Sequence, residues 1–345
     1  MKHIHKNRYA WPVLLLLMAL CVGGCVKEDN AGFAETDGED ITIKLTTGTR
    51  AADNALVRND DDCFSSLAVY AFDEGGNFLA LRTYNWDTPL NSFTTSAFNC
   101  GISVRKLVGI ANYDFYTDLK EKLVKGLSEE EVKELVANGD GSVSLGADNI
   151  LMTGESRVTF AENSENEDEE VPVNLVLRRL AARVDVFVFK DTEWNSDVQI
   201  LDMSFDNGVK NTTLTYTNIE EKKNMNLPSS LIYADPVKVT FPGGTSLEKD
   251  PGEEDWDEEN YLRGSFYTYR TERTAPVTRL NITVKIDNNA RKNYSAVIAD
   301  EGTGRVALDA GTVYQVRAVL KESGEAGLEY GLASWEDVEV DVPFN

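Results

Sequence analysis

Histidine is almost absent from this chain of 345 residues: there are two, His3 and His5, and both lie within the first 24 residues. Those residues join a basic head to the apolar run WPVLLLLMALCV, which is too short to span a bilayer and is typical of a secretory signal peptide. Once it is removed no histidine remains, so a Ser-His-Asp triad, a Cys-His pair and a His-ligated zinc site are excluded. Most hydrolase mechanisms are excluded with them.

Recognisable catalytic motifs are also missing. The chain contains no Walker A loop, no dinucleotide-binding fingerprint and no HExxH sequence. A glycosidase needs only two carboxylates, but among 58 acidic residues such pairs occur everywhere and indicate nothing. The acidic runs at 59–62 and 252–260 lack the spacing of a calcium loop and are expected to be solvated turns. We therefore expect a protein that is not an enzyme and has no cofactor and no metal site.

Positive charge is scarce, with 34 Lys and Arg against 58 Asp and Glu and a formal net charge of -24. The first 24 residues carry positive charges only, so the mature chain is more acidic still. Binding of phosphate polyanions relies on clustered Lys and Arg. The composition therefore excludes nucleic acid as a partner and indicates a soluble, self-repelling exterior.

Cysteine is also rare, and one of the four has a position that indicates its role. Cys25 directly follows Val22-Gly23-Gly24 at the end of the apolar run, which resembles a bacterial lipobox. We expect Cys25 to become the acylated, palmitate-bearing N-terminus of a lipoprotein anchored in the cell outer membrane. The residues at 27–29, Lys-Glu-Asp, resemble the signal that exports Bacteroidetes lipoproteins to the cell surface.

Cys63 and Cys100 remain in the mature chain, each beside a strand-like run. The compartment permits disulfides. A bridge between them and a pair of buried thiols are both compatible with the sequence.

Strand signals dominate the chain, as short runs of β-branched and aromatic residues separated by Gly, Asn, Asp and Pro clusters. The pattern predicts a hairpin from 65–72 and 78–84 around the turn DEGGN, and a strand at 106–112 that is covered on both faces. It predicts one helix over 117–138, with a capping box at Ser128 and Glu131, a hydrophobic staple at Leu127 and Val132, and its stop at Gly139. The expected strands after residue 190 lie near 198–205, 212–217, 237–241, 264–270, 278–286, 293–298, 312–320 and 335–344, with loops at 243–260 and 322–331.

These signals predict a mostly β protein of two antiparallel sandwiches, with one or two short helices in the first. The mature length is more than one core usually fills. The run 171–189 is too long for one strand, so we place the domain boundary near residue 180 within it. The expected organisation is a signal peptide (1–24), a propeptide with the first strand (25–50), an N-terminal domain (51–180) and a C-terminal domain (181–345).

The two ends of the mature chain share an alternating pattern. In ITIKL (41–45) the apolar residues fall on one face, and the small-residue segment LTTGTRAADNAL that overlaps it carries one arginine, Arg50. At the C-terminus Val338, Val340, Val342 and Phe344 lie on one face, and Asp337, Glu339 and Asp341 on the other. The tail is either the last strand of its own sheet or a strand donated to another chain, and the arginine segment is either a surface turn or a point at which the first strand can be released.

Several motifs in order resemble the fimbrillin family of Bacteroidales, whose members are subunits of major and minor fimbriae made as lipoprotein precursors. The resemblance rests on SSLAVYAFDEGGNFL (65–79), LVGIANY (107–113), ILMTGE (150–155), LVLRRLAARVDVFV (175–188), FYTYRTE (266–272), LDAGTVYQVRAVLK (308–321) and Ser334-Trp335. It covers nearly the whole mature chain.

The resemblance implies two tandem transthyretin-like domains and polymerisation by donor-strand exchange. A trypsin-like or arginine-specific protease would cut between Arg50 and Ala51, with Arg58 as a fallback. The donor strand would be Val338–Phe344, in which Pro343 removes one ladder hydrogen bond. The expected partners are other fimbrial subunits, in a homopolymer or as accessory subunits, and the expected location is the extracellular fimbrium.

A second hypothesis is a fimbrial tip adhesin or a surface glycan-binding lipoprotein. Trp256 and Tyr261 in the acidic loop could stack on a sugar ring, or they could anchor the loop to its own domain. An anchor subunit would not need the cut, and a tip subunit need not donate a strand.

Overall fold

The protein is mostly β, with several antiparallel sheets and two short helices, as the sequence predicts. The computed structural model describes residues 40–49, 63–139, 145–146, 149–160, 171–214, 228, 230–252, 261–271, 276–287, 290–300, 304–305, 307–324 and 326–334. The strands before residue 180 are β1 (Asp40–Thr49), β2 (Phe64–Phe72), β3 (Phe78–Leu90), β4 (Ser92–Gly101), β5 (Lys106–Ala111), β6 (Val136–Asn138), β7 (Met152–Arg157) and β8 (Val171–Arg179). The α-helices are α1 (Thr117–Lys122) and α2 (Glu129–Glu134), and a 3-10 turn at Tyr113–Phe115 precedes α1.

The strands after residue 180 are β9 (Ala181–Lys190), β10 (Val198–Asp206), β11 (Asn211–Thr213), β12 (Val237–Ser246), β13 (Leu262–Tyr269), β14 (Arg279–Ile286), β15 (Ala290–Val297), β16 (Ala299–Asp300), β17 (Gly304–Arg305), β18 (Thr312–Leu320) and β19 (Ala326–Ser334).

The N-terminal strands form one sheet of seven strands in the order β3-β2-β5-β7-β8-β1-β4. Strands β7 and β8 are joined through only two residue pairs, Met152 with Arg179 and Thr153 with Arg178. The sheet turns at this narrow joint, because one buried cluster contains side chains from β2 and β5 together with side chains from β1 and β8. The two halves of the sheet therefore face each other as the layers of a sandwich.

The C-terminal strands form a second sandwich. One sheet has the order β12-β10-β14-β15 and the other the order β13-β9-β18-β19. Their facing side chains, among them Val184 of β9, Ile200 of β10, Ile282 of β14 and Val316 of β18, form a separate core. The predicted boundary near residue 180 coincides with a bend at Leu180, between β8 and β9, whose side chains enter different cores. That each sandwich is a domain of its own stays a prediction.

The predicted hairpin is confirmed by the antiparallel pairing of β2 with β3. Its turn is fixed by Asp73, whose carboxylate Oδ1 accepts a hydrogen bond from the backbone N–H of Asn77 at 2.9 Å. Gly76 adopts a positive φ of 76° there, a conformation that favours glycine. Strand β5 is buried on both faces, as its continuous apolar run predicts, because Ile110 enters one cluster and Leu107 another.

The prediction of one helix over 117–138 is wrong in its extent. The segment forms two six-residue helices, since α1 ends at Lys122 and Gly126 adopts a positive φ of 89° between them. The predicted capping box is confirmed: Ser128 Oγ accepts from the backbone N–H of Glu131 at 3.3 Å, and Glu131 Oε2 accepts from the backbone N–H of Ser128 at 2.8 Å. The chain leaves the helix at Leu135, and residues 136–138 pair with β11, so Gly139 is not the stop.

Three predicted loops are partly strand. The loop predicted at 243–260 begins inside β12, which continues to Ser246, and two other loops are shortened in the same way. Strand β1 extends to Thr49, so the first half of the small-residue segment after the run ITIKL belongs to the sheet. The predicted loop at 322–331 contains the first part of β19, which pairs along its whole length with β18 from Ala326 to Ser334. In both cases pairing with a neighbouring strand overrides the turn-like composition.

Candidate functional site

Strand β1 is the element whose position bears most directly on function. It lies between β4 and β8, pairing antiparallel with the first and parallel with the second. Ile43 is paired with Val171 of β8, and Thr49 at the far end with Leu177. Because β1 is bordered on both sides, its removal would leave two unpaired strand edges facing each other across an empty slot.

The described side chains of β1 alternate as the sequence predicts. Ile43 and Leu45 have no exposed surface, and Thr47 is 1% exposed. The two aliphatic side chains belong to the core of the N-terminal sandwich, with Val173, Leu175 and Leu177 of β8 among their cluster. Burial of each contributes about 1.5–3 kcal/mol. Loss of β1 would open an apolar groove along this core.

Two glycines bring the opposite layer close to β8. A Cβ atom on Gly109 of β5 would lie 2.5 Å from Leu175 Cδ2, and one on Gly154 of β7 would lie 2.1 Å from the carbonyl oxygen of Val176. Both distances are shorter than real Cβ contacts. The obstacle at Gly154 is backbone, so that position requires glycine for this packing, whereas at Gly109 the end of the Leu175 side chain would have to move. The wall of the groove formed by β8 is therefore held against β5 and β7 independently of β1.

Four aromatic rings close one end of the groove. Phe93 of β4 lies opposite Thr47, and its ring centroid is 4.9 Å from that of Tyr84 and 4.8 Å from that of Trp86. Phe64 meets Trp86 edge to face at 5.5 Å. Phe64 and Tyr84 belong to the core that contains Ile43 and Leu45, and the partly exposed Trp86 and Phe93 pack against it. Sequence reasoning missed β4 and therefore missed this group.

Most of the other predicted site residues lie outside the described residues. These are the lipidation site Cys25, the cleavage site Arg50 and Ala51, the fallback Arg58, the loop residue Trp256, and the donor-strand residues Val338, Val340, Val342 and Phe344. Along the chain, Arg50 is the first residue after β1 ends at Thr49. Their roles stay predictions.

The two cysteines of the mature chain lie in the N-terminal sandwich. Cys100 is buried in β4, and Cys63 is partly exposed immediately before β2. The structure has both as thiols. Whether they oxidise to a disulfide after export stays a prediction.

A buried tyrosine pair connects the two sandwiches, a feature that the sequence did not predict. The hydroxyl groups of Tyr116 and Tyr269 hydrogen-bond to each other, and Tyr116 also donates to the carbonyl of Asn149 at 3.0 Å. Both rings belong to a cluster that combines α1 and α2 with β13 and Val313 of β18. Burial raises the pKa of each tyrosine well above its usual value, because the charged form would lose its hydration.

The part of the chain that the structure describes contains no group of three or more His, Cys, Asp or Glu side chains able to hold a metal ion. Its helices are all too short or too polar to cross a membrane. The groove occupied by β1 is the candidate site because β1 is buried between β4 and β8 and Arg50 directly follows it in the sequence.

Comparison with solved structures places the fold. The chain is similar to a candidate cell adhesion protein from Bacteroides eggerthii, with a TM-score of 0.55 and 16% identity over 86% of this chain and 96% of that one. It is similar to the tip fimbrial protein Mfa3 from Porphyromonas gingivalis with C-terminal truncation, with a TM-score of 0.54 and 13% identity over 85% and 100%. It is also similar to the fimbrilin FimA from Porphyromonas gingivalis, with a TM-score of 0.50 and 14% identity over 84% and 96%.

No protein-family model and no curated protein sequence matches the chain. The identities to the solved structures are low and establish a shared fold. The resemblance predicted from the sequence is confirmed at the level of that fold, because this chain folds like fimbrial proteins of Bacteroidales.

Proposed function

We propose that this chain is a structural subunit of a cell-surface fimbria and a member of the fimbrillin family. It is exported as a lipoprotein acylated at Cys25, cut between Arg50 and Ala51, and polymerised by donor-strand exchange. Its two sandwiches are transthyretin-like domains. Its partners are other copies or accessory fimbrial subunits, a trypsin-like or arginine-specific protease, and the outer membrane through the lipid of the precursor.

The observation that carries this proposal is the position of β1. The strand is paired on both sides and fully buried at Ile43 and Leu45, and it is the first strand of the described chain. Arg50 follows its last residue. A cut there leaves β1 held only by non-covalent contacts, so that another strand can replace it.

The C-terminal tail has the pattern that the vacated groove requires. Val338, Val340, Val342 and Phe344 recur at every second position, as do the buried residues of β1. The acidic residues between them face solvent in the proposed pairing, where like charge discourages indiscriminate edge pairing. Pro343 lowers the number of ladder hydrogen bonds by one.

The fold comparisons support the same function. Two of the similar structures are named as fimbrial proteins, and both span nearly their whole length in the comparison. We extend their fimbrial role to this chain because the groove and the tail supply both halves of a polymer contact.

Protease treatment of the soluble precursor tests the cut. The wild-type chain should release a fragment that ends at Arg50 and form oligomers that resist SDS until boiled. Arg50→Ala should abolish the fragment that ends at Arg50, and Arg50→Ala combined with Arg58→Ala, which also removes the fallback site, should block the oligomers. The matched control Arg58→Ala alone should leave both results unchanged. A precursor that is cut at Arg50 and stays monomeric contradicts the proposal.

A pair of tail variants tests the donor strand. Val340→Asp should be cut normally but should not assemble, because a charge without a partner would be buried in the groove. Asp341→Asn changes a neighbouring residue on the face proposed to meet solvent and should assemble. Equal assembly by the two variants would show that Val340 is not buried in the polymer.

The likeness to the tip protein Mfa3 favours a second function, that of a tip subunit or adhesin. A tip subunit would accept a strand without forming homopolymers. Cleaved chain that caps filaments of another subunit, or glycan binding that is lost in Trp256→Ala, would favour this function over that of a stalk subunit.

A further inference from the structure

Thr47 is the one described inward residue of β1 that does not match its surroundings. It is 1% exposed, and its hydroxyl is buried with no hydrogen-bond partner in the described part of the chain. Burying a hydroxyl without a partner is unfavourable. Strand β1 therefore fills this position of the groove less well than it fills the positions of Ile43 and Leu45.

The surroundings of Thr47 are aromatic. Phe93 lies directly opposite it on β4, and directly opposed residues of antiparallel strands point to the same face. Trp86 packs against Phe93 at 4.8 Å, and both rings are only partly buried. This end of the groove can therefore admit a larger apolar side chain if the two rings move outward.

The tail carries one aromatic residue among its alternating apolar positions. If the tail enters in the direction of β1, with Val340 at the position of Ile43, then Val342 falls at that of Leu45 and Phe344 at that of Thr47. If it enters in the opposite direction with Val342 at the position of Ile43, then Val340 falls at that of Leu45 and Val338 at that of Thr47. The ring of Phe344 meets the aromatic group only in the first case.

We propose that the position opposite Phe93 is a pocket for Phe344 of a second copy, and that this contact sets the direction and register of the inserted strand. The proposal rests on the proposed function and adds the residue that specifies the contact. Insertion exchanges an unpaired hydroxyl for an aromatic ring among aromatic rings, a pairing that favours offset or edge-to-face contacts.

The test measures binding of a fluorescent peptide with the sequence of residues 334–345 to the full chain cleaved at Arg50. Phe344→Ala in the peptide should weaken binding by at least about tenfold, because a large buried side chain is truncated. In a cleaved chain that carries Phe93→Ala, the same truncation should have a several-fold smaller effect. The control truncation Val338→Ala should have the same effect in both chains.

The possible outcomes distinguish a failure of the proposed Phe344 pocket from a failure of strand exchange itself. Coupling of Phe93 to Val338 rather than to Phe344 overturns the proposed direction. Peptide binding without coupling of Phe93 to either residue overturns the pocket and leaves strand exchange standing. Failure of every peptide to bind, with β1 retained after the cut, overturns both.

A second variant tests the pocket without removing an aromatic ring. Thr47→Val in the intact chain removes the unpaired hydroxyl and should raise the midpoint of unfolding. After the cut, the same variant should slow displacement of β1 by the wild-type peptide. A lower midpoint would contradict the view that the hydroxyl lacks a partner, and would overturn the pocket argument even if Phe93→Ala failed to fold.

Discussion

Truncating Leu45 to alanine should destabilise the precursor and leave the polymer unchanged. Leu45 has no exposed surface and lies in the core of the N-terminal sandwich. In the proposed assembly, however, it departs with β1. The substitution therefore tests whether Leu45 contributes to the stability of the precursor alone or to that of the polymer as well.

The expected loss in the precursor is about 3 kcal/mol, since truncation of a buried leucine removes transfer free energy and leaves a cavity. The glycine contacts that hold β8 against β5 and β7 limit how far the site can collapse around that cavity. The cost should therefore not fall to the low end of the range for leucine truncation.

Leu177 of β8 supplies the matched control. It is 1% exposed and belongs to the same cluster as Leu45, but it lies in the wall of the groove and stays in the subunit after the cut. Leu177→Ala should lower the stability of both the precursor and the polymer. The assays are chemical unfolding of the intact precursor and the temperature at which SDS dissociates the cleaved oligomers.

Equal dissociation temperatures for wild-type and Leu45→Ala oligomers would support replacement of β1. If Leu45→Ala oligomers dissociate at a temperature as low as that of Leu177→Ala oligomers, β1 is still present in the polymer. The reasoning about the groove would then be refuted.

Three further predictions concern the folded subunit. Asp185→Ala should cost about 3–5 kcal/mol in unfolding experiments, because it removes the carboxylate that lies 3.0 Å from the guanidinium of Arg183, a side chain that is 1% exposed. Near-equal stability of the variant would contradict this. Gly154→Ala should cost about 1–3 kcal/mol, because the new Cβ would meet the backbone of β8 at 2.1 Å; an unchanged unfolding midpoint would show that the layers are not packed so closely. The pKa values of Tyr116 and Tyr269 are higher in the folded protein than in the unfolded chain, where tyrosines ionise near pH 10. The stability that this pair contributes is therefore complete below pH 10. It is lost as the pH rises above that value, because only the unfolded chain can ionise its tyrosines there. Tyr116→Phe should be less stable than wild type at neutral pH, with a gap that narrows in alkali, and a constant gap would contradict the assignment.

Local signals in the sequence were sufficient for the elements that depend on neighbours along the chain. The capping box at Ser128 and the turn at Gly76 involve contacts within a few residues, and both are as predicted. The alternation of Ile43 and Leu45 likewise predicted which face of β1 is buried. These features need no knowledge of the rest of the fold.

The elements that were missed depend on distant partners. Strand β19, with the sequence AGLEYGLAS, is rich in small residues and is extended because β18 pairs with it. Residues 136–138 leave the helical pattern because β11, more than seventy residues later in the chain, pairs with them. The aromatic group at the end of the groove depends on β4, which borders β1 although it lies more than forty residues away in sequence.

The central claim is that β1 is removed and its groove is refilled from another copy. It is tested most directly by the N-terminal residue of the protein in filaments sheared from cells, determined by mass spectrometry. The account predicts Ala51, with no peptide from β1 in the filaments. Filament subunits that begin at an acylated Cys25 and retain β1 would contradict it.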